Sequence, residues 1–173
     1  MSTYMLVFRI IHILGAIAWG GSLFLLVVFI QPSAKALGPA GAPFMREMLS
    51  TRHLSDWVLR VAGITVLAGA FLYWHDWHLY GSLGDFLGSA FGLWLTIGGV
   101  SALIALGMGG FATRPTIQHG FEVGAKIAQA GDQPPPELLQ ELQALQARGR
   151  MLAMWNLAFV TIAAFSMSTA RYW

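Results

Sequence analysis

The 173-residue chain has no cysteine. Disulfides, iron–sulfur clusters, thiolate zinc sites and thiol nucleophiles are therefore excluded, leaving histidine, methionine, carboxylates and tyrosine as metal ligands. Charge is scarce as well. Asp, Glu, Lys and Arg make up 10% of the residues, against about 25% in a soluble domain, so a water-facing surface cannot be assembled from them. Hydrophobic types reach 56%, and most of that surface must face lipid. The net charge of +2 comes from scattered basic residues, which gives nucleic acid no patch to bind. There is no HExxH motif, no phosphate-cradling GxxxxGK[ST] loop and no GxGxxG after a strand.

What is abundant is long apolar sequence. A bilayer core about 30 Å thick needs about 20 apolar helical residues, and four runs qualify: roughly 4–30, 57–74, 86–112 and 151–170. The first is too long for the apolar core of a signal peptide, lacks a small-residue cleavage pattern and contains Arg9 and His12, so it reads as a retained helix. Asp and Glu are absent from all four, which argues against a proton pump built on buried carboxylates. The expected fold is all-α, an antiparallel bundle of four transmembrane helices forming a single domain over 1–173.

Orientation follows from the basic residues, which cytoplasmic loops retain. Lys35, Arg46, Arg52, Arg114, Lys126, Arg148 and Arg150 lie between spans one and two or between three and four, with Arg60 at the same end just inside span two. The other side has only Arg9 and Arg171, so both termini are expected outside. Tyr4, Tyr73, Trp74, Trp77, Tyr80, Tyr172 and Trp173 then form an outer aromatic belt. Small residues mark the close approaches between helices: Ala16 and Gly20, Thr65 and Gly69, and the series Gly88, Gly92, Ser101, Ala105 and Gly109.

Two segments on the inner side are more than connections. Phe44, Met45, Met48 and Leu49 alternate with Arg46, Glu47 and Arg52 at helical spacing, which suits an interfacial helix. Arg114-Pro115 is expected to break or kink the third helix. Residues 116–130 and a Leu-rich seam from Glu137 then make a cytoplasmic helical hairpin over about 115–150, turning at Gly131-Asp132-Gln133-Pro134-Pro135-Pro136. It either closes on itself or on the bundle's inner face, or docks a partner.

Arg9 and His12 are the two ionisable groups clearly inside a run. Intramembrane charge is costly and usually faces the bundle interior. Their spacing of three puts them on one helix face, continued by Gly15, Ala16 and Trp19. Arg9 can snorkel outward, and His12 can be a core histidine bonded to a neighbouring helix. The functional alternative is haem: imidazole ligates iron, small residues leave room for a macrocycle, and a guanidinium pairs with propionates.

The string His12-Ile13-Leu14-Gly15-Ala16-Ile17-Ala18-Trp19-Gly20-Gly21-Ser22-Leu23-Phe24 resembles the first helix of the CopD copper-resistance membrane domains and the HemJ-type protoporphyrinogen oxidases. His53-Leu54-Ser55-Asp56-Trp57, continuing to Gly69, is similar to the start of their second core helix. The resemblance covers about the first seventy residues and implies a helical membrane fold with b haem on His12, in the bacterial inner membrane. The oxidases also use an intramembrane lysine, whereas Lys35 and Lys126 here lie outside the spans. For the second ligand the order is His75, then His78, then Met167 or an open position.

A rival set for copper is His75, His78, Asp76, Asp85, Tyr80, Met1 and Met5 on the outer side, since imidazole and thioether suit that metal. The same aromatic and polar cluster also serves as an ordinary interfacial anchor. A third reading is an accessory subunit without a cofactor. Expected partners are the lipid bilayer, a redox protein and a second copy of the chain.

Overall fold

The structure, a computed structural model, describes residues 3–131 and 133–173, with only the backbone of Pro39. Met1, part of the copper set, and Asp132, in the expected turn, lie outside the described residues. Four helices are long and apolar enough to cross a membrane: α1 (Thr3–Ala36), α3 (Leu54–His78), α5 (Ala90–Gln129) and α6 (Pro136–Tyr172). Two short helices complete the set, α2 (Gly41–Arg46) and α4 (Leu83–Gly88).

The long helices run past the boundaries expected from hydropathy, because hydropathy marks where lipid is tolerated and not where helical bonding ends. Arg114-Pro115 does not break α5. A proline removes one N–H and crowds the carbonyl four residues back. Here the five residues before the Arg114-Pro115 pair, Gly109–Thr113, widen into a π-helical turn, and the helix continues. The same device recurs in α1, where the π-helical stretch Leu25–Ile30 precedes Pro32. A third, Glu47–Thr51, follows α2.

At its other end α5 begins later than expected. Residue 86 belongs to α4, and the break is made by Ser89, whose extended backbone lets its hydroxyl accept from the Gly92 amide at 3.0 Å and donate to the Phe86 carbonyl at 2.7 Å. Phe86 is thereby fully buried under Tyr73, Tyr80 and Phe91. Gly88, read above as part of a packing stripe, meets nothing within 4 Å.

α1 packs along α3 and α5 along α6, while α3 also meets α5 and α1 meets α6. The result is an antiparallel four-helix ring. Trp19, Val58, Ala62, Ala105 and Val160 close its centre. Ile17, Leu67, Leu103 and Phe165 point outward, each more than half exposed, as lipid-facing residues must. Both described termini and the α3–α5 connection share one end, called here the terminal end. The opposite, basic end carries Lys35, Arg46, Arg52 and Arg114.

At 1.5 Å per residue α5 is about 60 Å long, twice a hydrocarbon core. Its second half therefore extends beyond the span and packs on the first half of α6 as a helical hairpin. There His119 Nε2 lies 2.9 Å from Glu141 of α6, and Nδ1 lies 3.4 Å from Glu122. Hydrogen bonding to Glu141, then to Glu122, raises the His119 pKa above its usual value. A raised folded-state pKa stabilises fully below the unfolded value near 6.5 and fades as pH climbs through the folded one. Amide protection factors in the hairpin, the exchange rates corrected for the intrinsic base-catalysed rate, should accordingly fall as pH rises above about 6.5. His119→Gln should remove that pH dependence, and an unchanged pH profile would exclude the bridge.

Candidate functional site

Met5, His12 and Trp19 recur every seven residues on the buried face of α1, with Met5 and Trp19 only 4% and 5% exposed. His12 sits between them, half-buried, against α3. Its Nδ1 is 2.8 Å from the Thr65 carbonyl oxygen. A carbonyl can only accept, so Nδ1 carries the proton and donates. The contact uses the carbonyl's second lone pair and needs α1 and α3 close together. Gly69 provides the room, since a Cβ there would stand 2.6 Å from Cε1 of the ring. Thr65 turns its own hydroxyl away, donating to the Val61 carbonyl at 2.8 Å. With the tautomer set in this way, Nε2 holds a lone pair and has no hydrogen-bond partner among the described residues. Metal-ligating histidines commonly show this arrangement, one nitrogen tied to a carbonyl and the other left to coordinate. The residue type and its unbonded Nε2 are of the kind that could ligate a haem iron.

The other residues expected around it are placed differently. Arg9 is half-buried, one turn toward the terminal end. Trp19 lies two turns in the opposite direction and is a core residue packed with Val58, Ala62, Ala105 and Val160. His75 and His78 are not brought to His12. They follow Gly69 by six and nine residues on the same straight helix, about 9 and 13 Å along its axis, whereas metal–nitrogen bonds of about 2 Å would put two axial nitrogens about 4 Å apart. His75 Nδ1 instead lies 3.5 Å from its neighbour Asp76. His78 Nδ1 donates to the Trp74 carbonyl at 2.8 Å, its ring leaning on Trp74 and Trp77. Among the described residues no three of His, Asp and Glu gather as a metal site.

Met167 is better placed. Gly20 of α1 abuts Val160 of α6; His12 is eight residues from the first and Met167 seven from the second, both toward the terminal end, so their depths agree within about 2 Å. Met167 packs over Gly98 of α5.

A second region escaped the sequence reading altogether. At the basic end, a cavity of about 190 Å³ is lined by polar groups that include Ser50, His53, Asp56 and Gln118. A smaller one of about 80 Å³ reaches toward Trp19 and includes Thr113, Arg114 and Asn156 in its wall. Arg114 Nη2 lies 2.9 Å from Asp56 Oδ1 and joins the two. His53 opens α3 with a left-handed backbone, φ 53°, and sits 3.6 Å from Asp56. Asp56 and Arg114 are too far apart in sequence for spacing to link them. Asn156, a single amide inside an apolar span, was the signal to follow. No family model matches this sequence, and no curated protein or solved structure is similar to it.

Proposed function

We propose that this multi-pass membrane protein binds b haem through His12 and serves electron transfer or related redox work. The observation that carries the reading is the His12–Thr65 bond, which protonates Nδ1 and leaves Nε2 as the ligand. The likeness of 12–24 to CopD and HemJ first helices supports it independently. Bound haem would supply a one-electron iron couple. The chain's own residues would hold the imidazole through Thr65 and Gly69, meet the propionates with Arg9 and offer Met167, or no side chain, as a second ligand. The distribution of basic residues supports termini outside and the hairpin in the cytoplasm, and the reading takes the membrane to be a bacterial inner membrane. Lipid, a redox protein and a second copy are the partners this reading entails.

One observation favours a different role for the same histidine. The close fit of the imidazole over Gly69 is also what a purely structural clasp between α1 and α3 requires. The ultraviolet–visible spectrum of protein purified from haem-replete cells separates the two. A Soret band with split α/β bands, lost in His12→Ala and retained in His75→Ala and His78→Ala, is the expected result. A colourless, folded wild type would leave His12 as the clasp, and stoichiometric copper without that spectrum would move attention to the terminal-end histidines.

A further inference from the structure

Arg60 is a charge that the fold itself does not use. The inward face of α3 is Val58, Ala62, Thr65 and Ala68, all buried, whereas Trp57, Ile64 and Leu67, three before and four and seven after Arg60, are exposed. Residues at those spacings share a helix face, so Arg60, itself exposed, stands on the side of α3 that meets lipid. The acid one turn back, Asp56, is the partner that helical spacing would supply. Its carboxylate is taken instead by Arg114 of α5 at 2.9 Å and lies 3.6 Å from His53. Arg60 is left with no ion pair or hydrogen bond among the described residues.

The packing of the helices sets the depth of this charge. Gly69 lies against His12, and Gly20 against Val160. Trp57 is twelve residues from Gly69 and Phe24 twelve from His12, while Phe24 is four from Gly20 and Trp155 five from Val160, all toward the basic end. The three rings therefore agree in depth within about 2 Å. Each is about half exposed, and a level of exposed aromatic rings on separate helices marks a membrane interface. Trp74 is seventeen residues along α3 from Trp57, about 26 Å away and close to one hydrocarbon thickness. Arg60 lies about 4.5 Å to the bilayer side of the Trp57 level, whereas Lys35, Arg148 and Arg150 lie on the far side of it.

An arginine keeps its charge, and a charge facing hydrocarbon is costly unless it reaches the headgroups or meets an anion. The group met at that depth on a lipid-facing surface is a lipid phosphate, whose paired oxygens match the guanidinium fork. In a zwitterionic lipid that phosphate already sits beside its own ammonium, and in an anionic lipid it does not. We propose that Arg60 binds the phosphodiester of an anionic phospholipid in the leaflet at the basic end, seating the lipid against α3 beside Trp57. The proposal requires only that the long helices cross a bilayer. It uses none of the residues assigned to haem, so a colourless protein would leave it standing.

Native mass spectrometry of the delipidated protein in detergent, given equal amounts of phosphatidylglycerol and phosphatidylcholine, tests this directly. Wild type should retain phosphatidylglycerol in preference. Arg60→Gln should weaken that binding about fivefold, the order expected of one basic residue against anionic lipid, and leave phosphatidylcholine unchanged. Arg148→Gln, the same change of charge at an exposed position beyond the aromatic level, should have a much smaller effect. Inorganic phosphate in excess should not displace the lipid. A second measurement needs no change at Arg60: in nanodiscs, phosphatidylglycerol brominated high on its acyl chains should quench Trp57, read as the difference between wild type and Trp57→Phe, more than phosphatidylcholine brominated in the same way. If Arg60→Gln fails to fold, this comparison decides. Equal quenching by the two lipids, equal losses in Arg60→Gln and Arg148→Gln, or displacement by inorganic phosphate would overturn the proposal. So would a dimer that Arg60→Gln dissolves without any change in lipid preference, which would give the arginine to a second copy of the chain.

Discussion

Trp19→Ala is expected to destabilise the protein by about 3 kcal/mol, read as the shift in an SDS unfolding titration from mixed micelles. Removing a buried tryptophan from a water-soluble core costs about 3–5 kcal/mol, part of it transfer and part the cavity left behind. Lipid is as apolar as the core, so the transfer part shrinks in a bilayer and the packing part remains. The packing loss is large here because Trp19 touches the centre of the ring, where Val58, Ala62, Ala105 and Val160 converge. It also forms part of the wall of the smaller cavity, so alanine enlarges an existing void that the helices have not closed. Trp19→Phe should cost less than half as much. If Trp19 instead contacted a cofactor and packed little, Trp19→Ala would match wild type in cofactor-free protein.

Gly69→Val comes next, at about 2 kcal/mol in the same titration. Overpacking a close helix contact costs about 1–3 kcal/mol, and the imidazole that must move is pinned by its bond to the Thr65 carbonyl. Losing that bond adds about 0.6 kcal/mol on the scale measured between membrane helices. Stability and site are thereby coupled. The valine should disturb the His12 ring resonances, and any haem spectrum, far more than a substitution at Gly21, where a Cβ meets nothing within 4 Å. Equal effects at Gly21 and Gly69 would show that the ring does not rest on α3.

The architecture was legible because lipid imposes a simple rule on composition. Four apolar runs, the close approaches at Gly20 and Gly69, and a hairpin turning near Gly131 could all be read from residue type and spacing. Boundaries could not, since a helix continues through Pro115 once a wide turn absorbs the missing donor, and a single serine at 89 can divide what hydropathy joins. Of the candidate site, His12 stood out because an imidazole in hydrocarbon is conspicuous. Its supposed partners His75 and His78 were chosen by side of the membrane alone, a criterion too coarse to separate groups two turns apart. The cavity at the basic end was missed for the opposite reason. Asp56, Thr113, Arg114 and Asn156 are individually ordinary, and their convergence depends on the register between α3, α5 and α6, which no local pattern encodes.

The wide turn at Gly109–Thr113 sits where α5 leaves the four-helix ring and becomes an arm of the hairpin. The sixteen residues beyond it, Arg114–Gln129, reach about 24 Å. A fulcrum so close to one end has leverage: a tilt of about 10° there would carry the far tip through about 4 Å. Thr113 is both part of that fulcrum and part of the cavity wall, so whatever fills or empties the space beside it acts on the short side of a long lever.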